Sequence, residues 1–132
     1  MDAPADVLAA ANALVDAFGA HDTETYFDSF APDATFTFYT AEQPLRSRAA
    51  YQQLWSRWEQ EDRFRVLSCS SSDQHVQLLG DVAVFTHSVH TVVRLGEAEE
   101  SLDERESIVF RQDGSGRWLA VHEHLSPTPE GA

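Results

Sequence analysis

The chain contains no lysine. Its nine basic residues are all arginine, set against 22 acidic ones, for a net charge of −13 over 132 residues. Nucleic acids and anionic membrane surfaces are bound by positive charge that displaces counterions, so this balance excludes both as expected partners. A single cysteine, Cys69 in the stretch SCSSS, excludes a disulfide within the chain and a multi-cysteine zinc site. No apolar run is long enough to span a bilayer. The opening MDAPADVLAAANALVDAF has two acids and no basic residue before its apolar part, unlike a secretory signal, so a cytoplasmic protein is expected. Phosphate-binding loops, nucleophile elbows and metal-ligand spacings are also missing, so no cofactor and no metal are expected.

What is present is enough apolar residue, 42%, to build one core. A single domain over residues 1–132 is expected, with its core at about 5–127 and a frayed PTPEGA tail. Val7, Leu8, Ala11, Leu14, Val15 and Phe18 recur at the spacing of one helix face, which predicts a helix over 5–19. Asp22 or Thr23 can cap a second short helix, TETYFDSF. ATFTFYT alternates as a strand. RAAYQQLWSRWEQE places Tyr51, Leu54, Trp55 and Trp58 on one face of a third helix. Four further strand-like stretches follow, separated by Gly80-Asp81, GEAEE and DGSG. Helices first and long strands after predict an α+β fold with helices on one face of an antiparallel sheet.

Successive strand side chains point to opposite faces. In the last strand this puts Trp118, Ala120, His122, His124 and Ser126 on one side, and Leu119, Val121, Glu123 and Leu125 on the other. Arg105 and Ser107 share a face of the preceding strand. His90 lies with Val84, Thr86, Ser88 and Val92. The pair His122 and His124 can hold a metal, move protons, pack, or sit in a subunit interface. A metal needs further ligands; His75 and His87 are the nearest candidates and neither is well spaced.

Three stretches, LWSR, HVQLLGD and FRQDGSGRWLAVHEHLSPTP, together resemble the association domain of calcium/calmodulin-dependent protein kinase II and its bacterial SnoaL-like relatives, within the nuclear transport factor 2-like superfamily. The resemblance runs from about Val7 to Pro127. It implies a cone: three helices laid into the concave side of a bent antiparallel sheet, a pocket between them, and a homodimer made through the convex side. It also implies that the kinase domain's polar, carboxylate-binding pocket positions fall here at His90, Ser107 (with Arg105 two residues earlier), Leu125, Phe38 and Ser47, so most of its charged set is replaced. The implied pocket is more apolar and suits an uncharged or aromatic small molecule.

SnoaL-like relatives include isomerases, cyclases, dehydratases and hydrolases that need no cofactor. The expected function is therefore acid–base chemistry on a small hydrophobic molecule. His90 is the expected base, Glu123 the second candidate, and Arg105 the group that steadies charge. Phe36, Phe38, Tyr39, Trp55, Trp58, Ser107 and Leu125 are the expected ligand-binding residues. Trp118, His122 and His124 are the expected interface. The alternative is a module without catalysis that binds a small ligand or scaffolds an oligomer. Each residue also has a plainer reading, as core packing or as a structural ion pair between Glu123 and Arg105.

Overall fold

The computed structural model describes residues 2–129. Its elements are α1 (Ala3–Gly19), α2 (Thr23–Asp28), β1 (Phe30–Phe38), α3 (Arg48–Glu61), β2 (Phe64–Leu79), β3 (Val82–Leu95), β4 (Ala98–Gln112) and β5 (Trp118–Pro127). The five strands form one open sheet in the order β1-β5-β4-β3-β2. All pairs are antiparallel except β1 with β5, which run parallel. That one pair departs from the all-antiparallel expectation.

Local chemistry accounts for the boundaries. Asp22 caps α2, its carboxylate accepting from Thr25 N–H, and Ser47 caps α3 by accepting from Ala50 N–H at 3.0 Å. The second helix is shorter than TETYFDSF: Phe30 already begins β1, which carries Pro32 through a register irregularity and lies at the sheet edge, where proline is tolerated. Gly80-Asp81 and Gly96-Glu97 are two-residue hairpin loops, with Gly80 at φ +69° and Gly96 at φ +65°. Gly19 does not end α1 by its flexibility; it is the helix's last residue, and a Cβ there would meet Cys69 N at 3.1 Å and Cβ at 3.2 Å. The tail is tied down further than expected, since Pro127 pairs with Glu104 and Thr128 N–H donates to Asp103 C=O at 3.0 Å. The rest of the expected frayed tail, beyond Pro129, lies outside the described residues.

Helices α1 and α3 pack on one face of the sheet, hereafter the inner face. On β3 that face carries Ala83, Phe85, His87, Val89, Thr91 and Val93, all buried, in strict alternation. On β4 it carries Glu104, Ile108 and Phe110. The helices bring an aromatic cluster to it: Tyr51 sits 4.6 Å from Phe36 and 5.0 Å from Phe38, and Tyr26 sits 5.4 Å from Trp55, ring centroid to centroid. Such tilted and edge-on pairs add roughly 0.5–1.5 kcal/mol each beyond the area they bury.

Strand β5 does not alternate through its whole length. Val109 pairs with His122 but Phe110 pairs with Ala120, so Val121 is an extra residue in a bulge. The bulge puts Trp118 and Ala120 on the same inner face as Glu123 and Leu125, and leaves His122 and His124 outside. Trp118 is 6% exposed and packs in the core. Its expected place at an interface is therefore corrected: uninterrupted parity joined it to the histidines, and one inserted residue separates them.

No helix among the described residues is long and apolar enough to cross a membrane.

Candidate functional site

Between the helices and the inner face lies a cavity of about 100 Å³. Its wall is aromatic and aliphatic, with Phe18, Tyr26, Phe38, Tyr51, Trp58, Phe64 and Leu125 among the lining residues. Three carboxyl groups also line it: Glu104 and Glu106 from β4 and Glu123 from β5. Two residues apart on one strand, Glu104 and Glu106 necessarily share a face. Glu123 enters beside them because it pairs with Ile108, the next inward residue of β4.

Each carboxyl is held differently. Glu106 Oε1 receives a hydrogen bond from His87 Nε2 at 2.7 Å, and His87 Nδ1 meets Ser71 Oγ at 2.6 Å. Glu104 Oε2 accepts from Tyr39 O–H at 2.5 Å. Glu123 is 4% exposed, and its Oε2 has no hydrogen-bond partner among the described residues. Burial pushes the Glu123 carboxyl well above the usual carboxylate range, and the negative charge of nearby Glu106 pushes further the same way. Burial raises Glu104 too, against the opposing hydrogen bond from Tyr39. Tyr26 and Tyr51 meet at 2.9 Å through their hydroxyls, and both phenols are raised by burial and then by the charge of Glu123. The Cys69 thiol, on the same wall, is pushed up to about 11 by burial, so it is a poor nucleophile at neutral pH.

Of the residues expected from sequence, Glu123, Phe38, Trp58 and Leu125 line the cavity. Phe36 and Trp55 are fully buried in the packed core instead of on its wall. Tyr39 is 47% exposed and reaches the site through Glu104. His90, Arg105 and Ser107 stand on the outer face. His90 Nδ1 is 2.7 Å from Asp103 Oδ1 in an exposed pair. Arg105 is exposed and opposite Ser126, and Ser107 is opposite His124. The structure therefore does not bring the expected base and the expected charge-stabilising arginine to the cavity, and it forms no Glu123–Arg105 pair. His122 and His124 do lie together outside, His122 Nδ1 meeting Thr35 Oγ1 at 2.8 Å. Among the described residues no group of three or more His, Cys, Asp or Glu is arranged to hold a metal.

The site residues that sequence reasoning missed are Glu104, Glu106, His87, Tyr26 and Tyr51. A signal existed: Ile108 and Phe110 share parity with both glutamates, and the buried alternation of Phe85, Val89 and Val93 includes His87. His21 is a further structural histidine. Its Nδ1 accepts from Val66 N–H at 2.9 Å, so Nε2 carries the hydrogen donated to Glu59 at 2.8 Å.

A family model described as the SnoaL-like domain matches residues 7–130. The chain belongs to the SnoaL-like family. Among solved structures similar to this SnoaL-like chain is a nuclear transport factor 2-like protein from Cytophaga hutchinsonii, with a TM-score of 0.81 at 14% identity, covering 97% of this chain and 100% of that one. The calcium/calmodulin-dependent protein kinase II hub of S. rosetta gives 0.77 at 20% identity, covering 97% and 98%. A candidate ketosteroid isomerase from Parabacteroides distasonis gives 0.74 at 13%, covering 98% and 90%. At these identities the likeness concerns the fold. No curated protein matches the chain.

Proposed function

We propose that the chain is a cofactor-free acid–base catalyst acting on a small hydrophobic molecule held in the inner cavity, with Glu123 as the proton-transferring group. The observation that carries this reading is the unpartnered, buried Oε2 of Glu123 on the cavity wall. An isolated buried carboxyl is costly, about 1–3 kcal/mol for a hydrogen-bonding group left unsatisfied. A fold that keeps one facing a hollow has a group available to a ligand. Because burial makes this carboxyl hold a proton more tightly than one in water, it can serve as a proton donor as well as an acceptor. The Tyr26–Tyr51 pair, one hydroxyl donating to the other, leaves one O–H donor on the same wall, able to hold a ligand oxygen or a developing negative charge. His87 and Ser71 anchor Glu106 behind the site.

The test is a thermal-shift survey of small apolar carbonyl compounds, alcohols and amines, since ligand binding raises the melting point by mass action. A compound that stabilises the wild type and is turned over by it, but not by the Glu123→Gln variant, supports the reading. Turnover that survives Glu123→Gln contradicts it.

A second reading is self-association. Among the described residues no helix packs on the outer face of the sheet, which carries half-buried Val84, Val92, Val109, Leu119 and Val121 beside His122. A homodimer through this face, as the hub-like likeness suggests, would cover them. Sedimentation of wild type and a Val109→Arg variant checks it: a dimer lost in the variant supports the reading, and a monomeric wild type ends it.

A further inference from the structure

The cavity's charge pattern is lopsided. Three carboxyls line it, and among the described residues no arginine does. Among the described residues the one basic side chain bonded to any of these carboxyls is His87, which is committed to Glu106. Glu104 has a phenol, not a cation, as its partner. Glu123 Oε2 has nothing. Around the carboxyls stand ring systems, including Tyr26, Tyr51, Trp58 and Phe64, whose faces attract cations. An anionic ligand would find no free cation in this low-dielectric hollow, only carboxyl groups that can carry negative charge or none. A neutral ligand would leave the imbalance standing.

We propose that the ligand of this cavity is a small hydrophobic amine, its ammonium group on Glu123 and Glu104 and its apolar part against the aromatic wall. The proposal rests on the reading of this cavity as a ligand site and names the class of molecule it takes. An ammonium donates up to three hydrogen bonds and accepts none. It therefore fits acceptors that lack donors, which is the state of Glu123 Oε2. The cavity is somewhat smaller than the roughly 150 Å³ hollow that holds a benzene, so the buried part of the ligand is at most a small ring or branched chain. Bound charge also supplies the opposite sign that burial withholds from Glu123, drawing its carboxyl toward the ionised form.

Three near-isosteric probes separate the possibilities: cyclopentylamine, cyclopentanol and cyclopentanecarboxylate. Binding is followed at neutral pH and physiological salt by the NMR shift of the Trp58 indole and by melting temperature. The amine is expected to bind about tenfold or more tightly than the alcohol, and the carboxylate not at all. Glu123→Gln should bring amine and alcohol to parity. Glu104→Gln, a second isosteric change in case the first does not fold, should reduce the preference severalfold. Asp103→Asn, an exposed acid of the outer face, should leave it unchanged. Alcohol or carboxylate binding as tightly as the amine overturns the amine proposal while the cavity stands as a ligand site. An amine preference that persists in both cavity variants assigns it to the acidic surface and overturns the proposal as well. If no probe moves Trp58 at any concentration, both the proposal and the ligand-site reading fail.

Discussion

The two faces of one sheet carry the same residue types and give them opposite chemistry. Inside, Glu104 and Glu123 are buried among aromatic rings and hold their protons more tightly than a carboxyl in water. Outside, Asp103, next to Glu104 on β4, forms an exposed pair with His90 of β3, worth at most about 1 kcal/mol in water. His87 and His90 are three residues apart on β3; the first is buried against Glu106, the second faces solvent. Residue type therefore does not identify a site in this fold. The face on which a side chain stands does, because burial and missing partners are what shift a carboxyl's proton affinity.

The comparison would break most visibly at β5. Trp118→Ala should cost about 3–5 kcal/mol if the bulge at Val121 turns the ring inward, and almost nothing if the strand alternates without interruption. Ile108→Ala against Val109→Ala makes the same point on the neighbouring strand, with a loss of about 2–5 kcal/mol inside and under about 1.5 outside. Chemical denaturation of the variants measures both.

A second contrast uses pH. A carboxyl whose folded pKa is raised binds its proton more tightly in the native state, so stability falls as pH rises from the unfolded carboxylate value, about 4.3, up through the folded one. Glu123 and Glu104 should together make the wild type most stable at the acid end of that window. Glu123→Gln should flatten the fall by up to about 1.4 kcal/mol per pH unit, the slope of one proton. Ser107→Ala, a non-titrating change on the outer face, should leave the slope as it is. Melting curves across pH 4 to 8, in roughly unit steps, distinguish them.

Smaller effects sharpen the inner face. Tyr51→Phe leaves Tyr26 O–H buried without its 2.9 Å partner and should cost about 1–3 kcal/mol, against a few tenths for Tyr39→Phe if its exposed ring trades Glu104 for water. Smaller again, Gly96→Ala in the hairpin at φ +65° should cost about 1 kcal/mol, with the cavity unaltered.

Much of this fold was readable from sequence, because helix caps, glycine turns and apolar periodicity are local signals. Ser47, Asp22, Gly80 and the Tyr51–Trp58 stripe all act within a few residues of themselves. The site was readable only in part. Parity correctly grouped His90 with Thr86 and Ser88, and Arg105 with Ser107, but parity does not say which group the helices cover. A resemblance decided in favour of His90 and Arg105, while the apolar neighbours of Glu104 and Glu106 pointed the other way. Trp118 was misplaced for a different reason. A bulge depends on how β5 registers against β4, and that non-local pairing leaves no mark at Val121 itself. Glu123 and Leu125, on the far side of the bulge from Trp118, were unaffected by it.

The most direct measurement is a carbon-detected NMR titration of the glutamate side-chain carboxyls in the ligand-free protein, with Glu123→Gln to assign the signal. The account predicts that Glu123 keeps its proton well above the usual carboxylate range, its resonance moving only after the exposed carboxyls have titrated. A Glu123 resonance that titrates near 4.3, like a carboxyl in water, would contradict it.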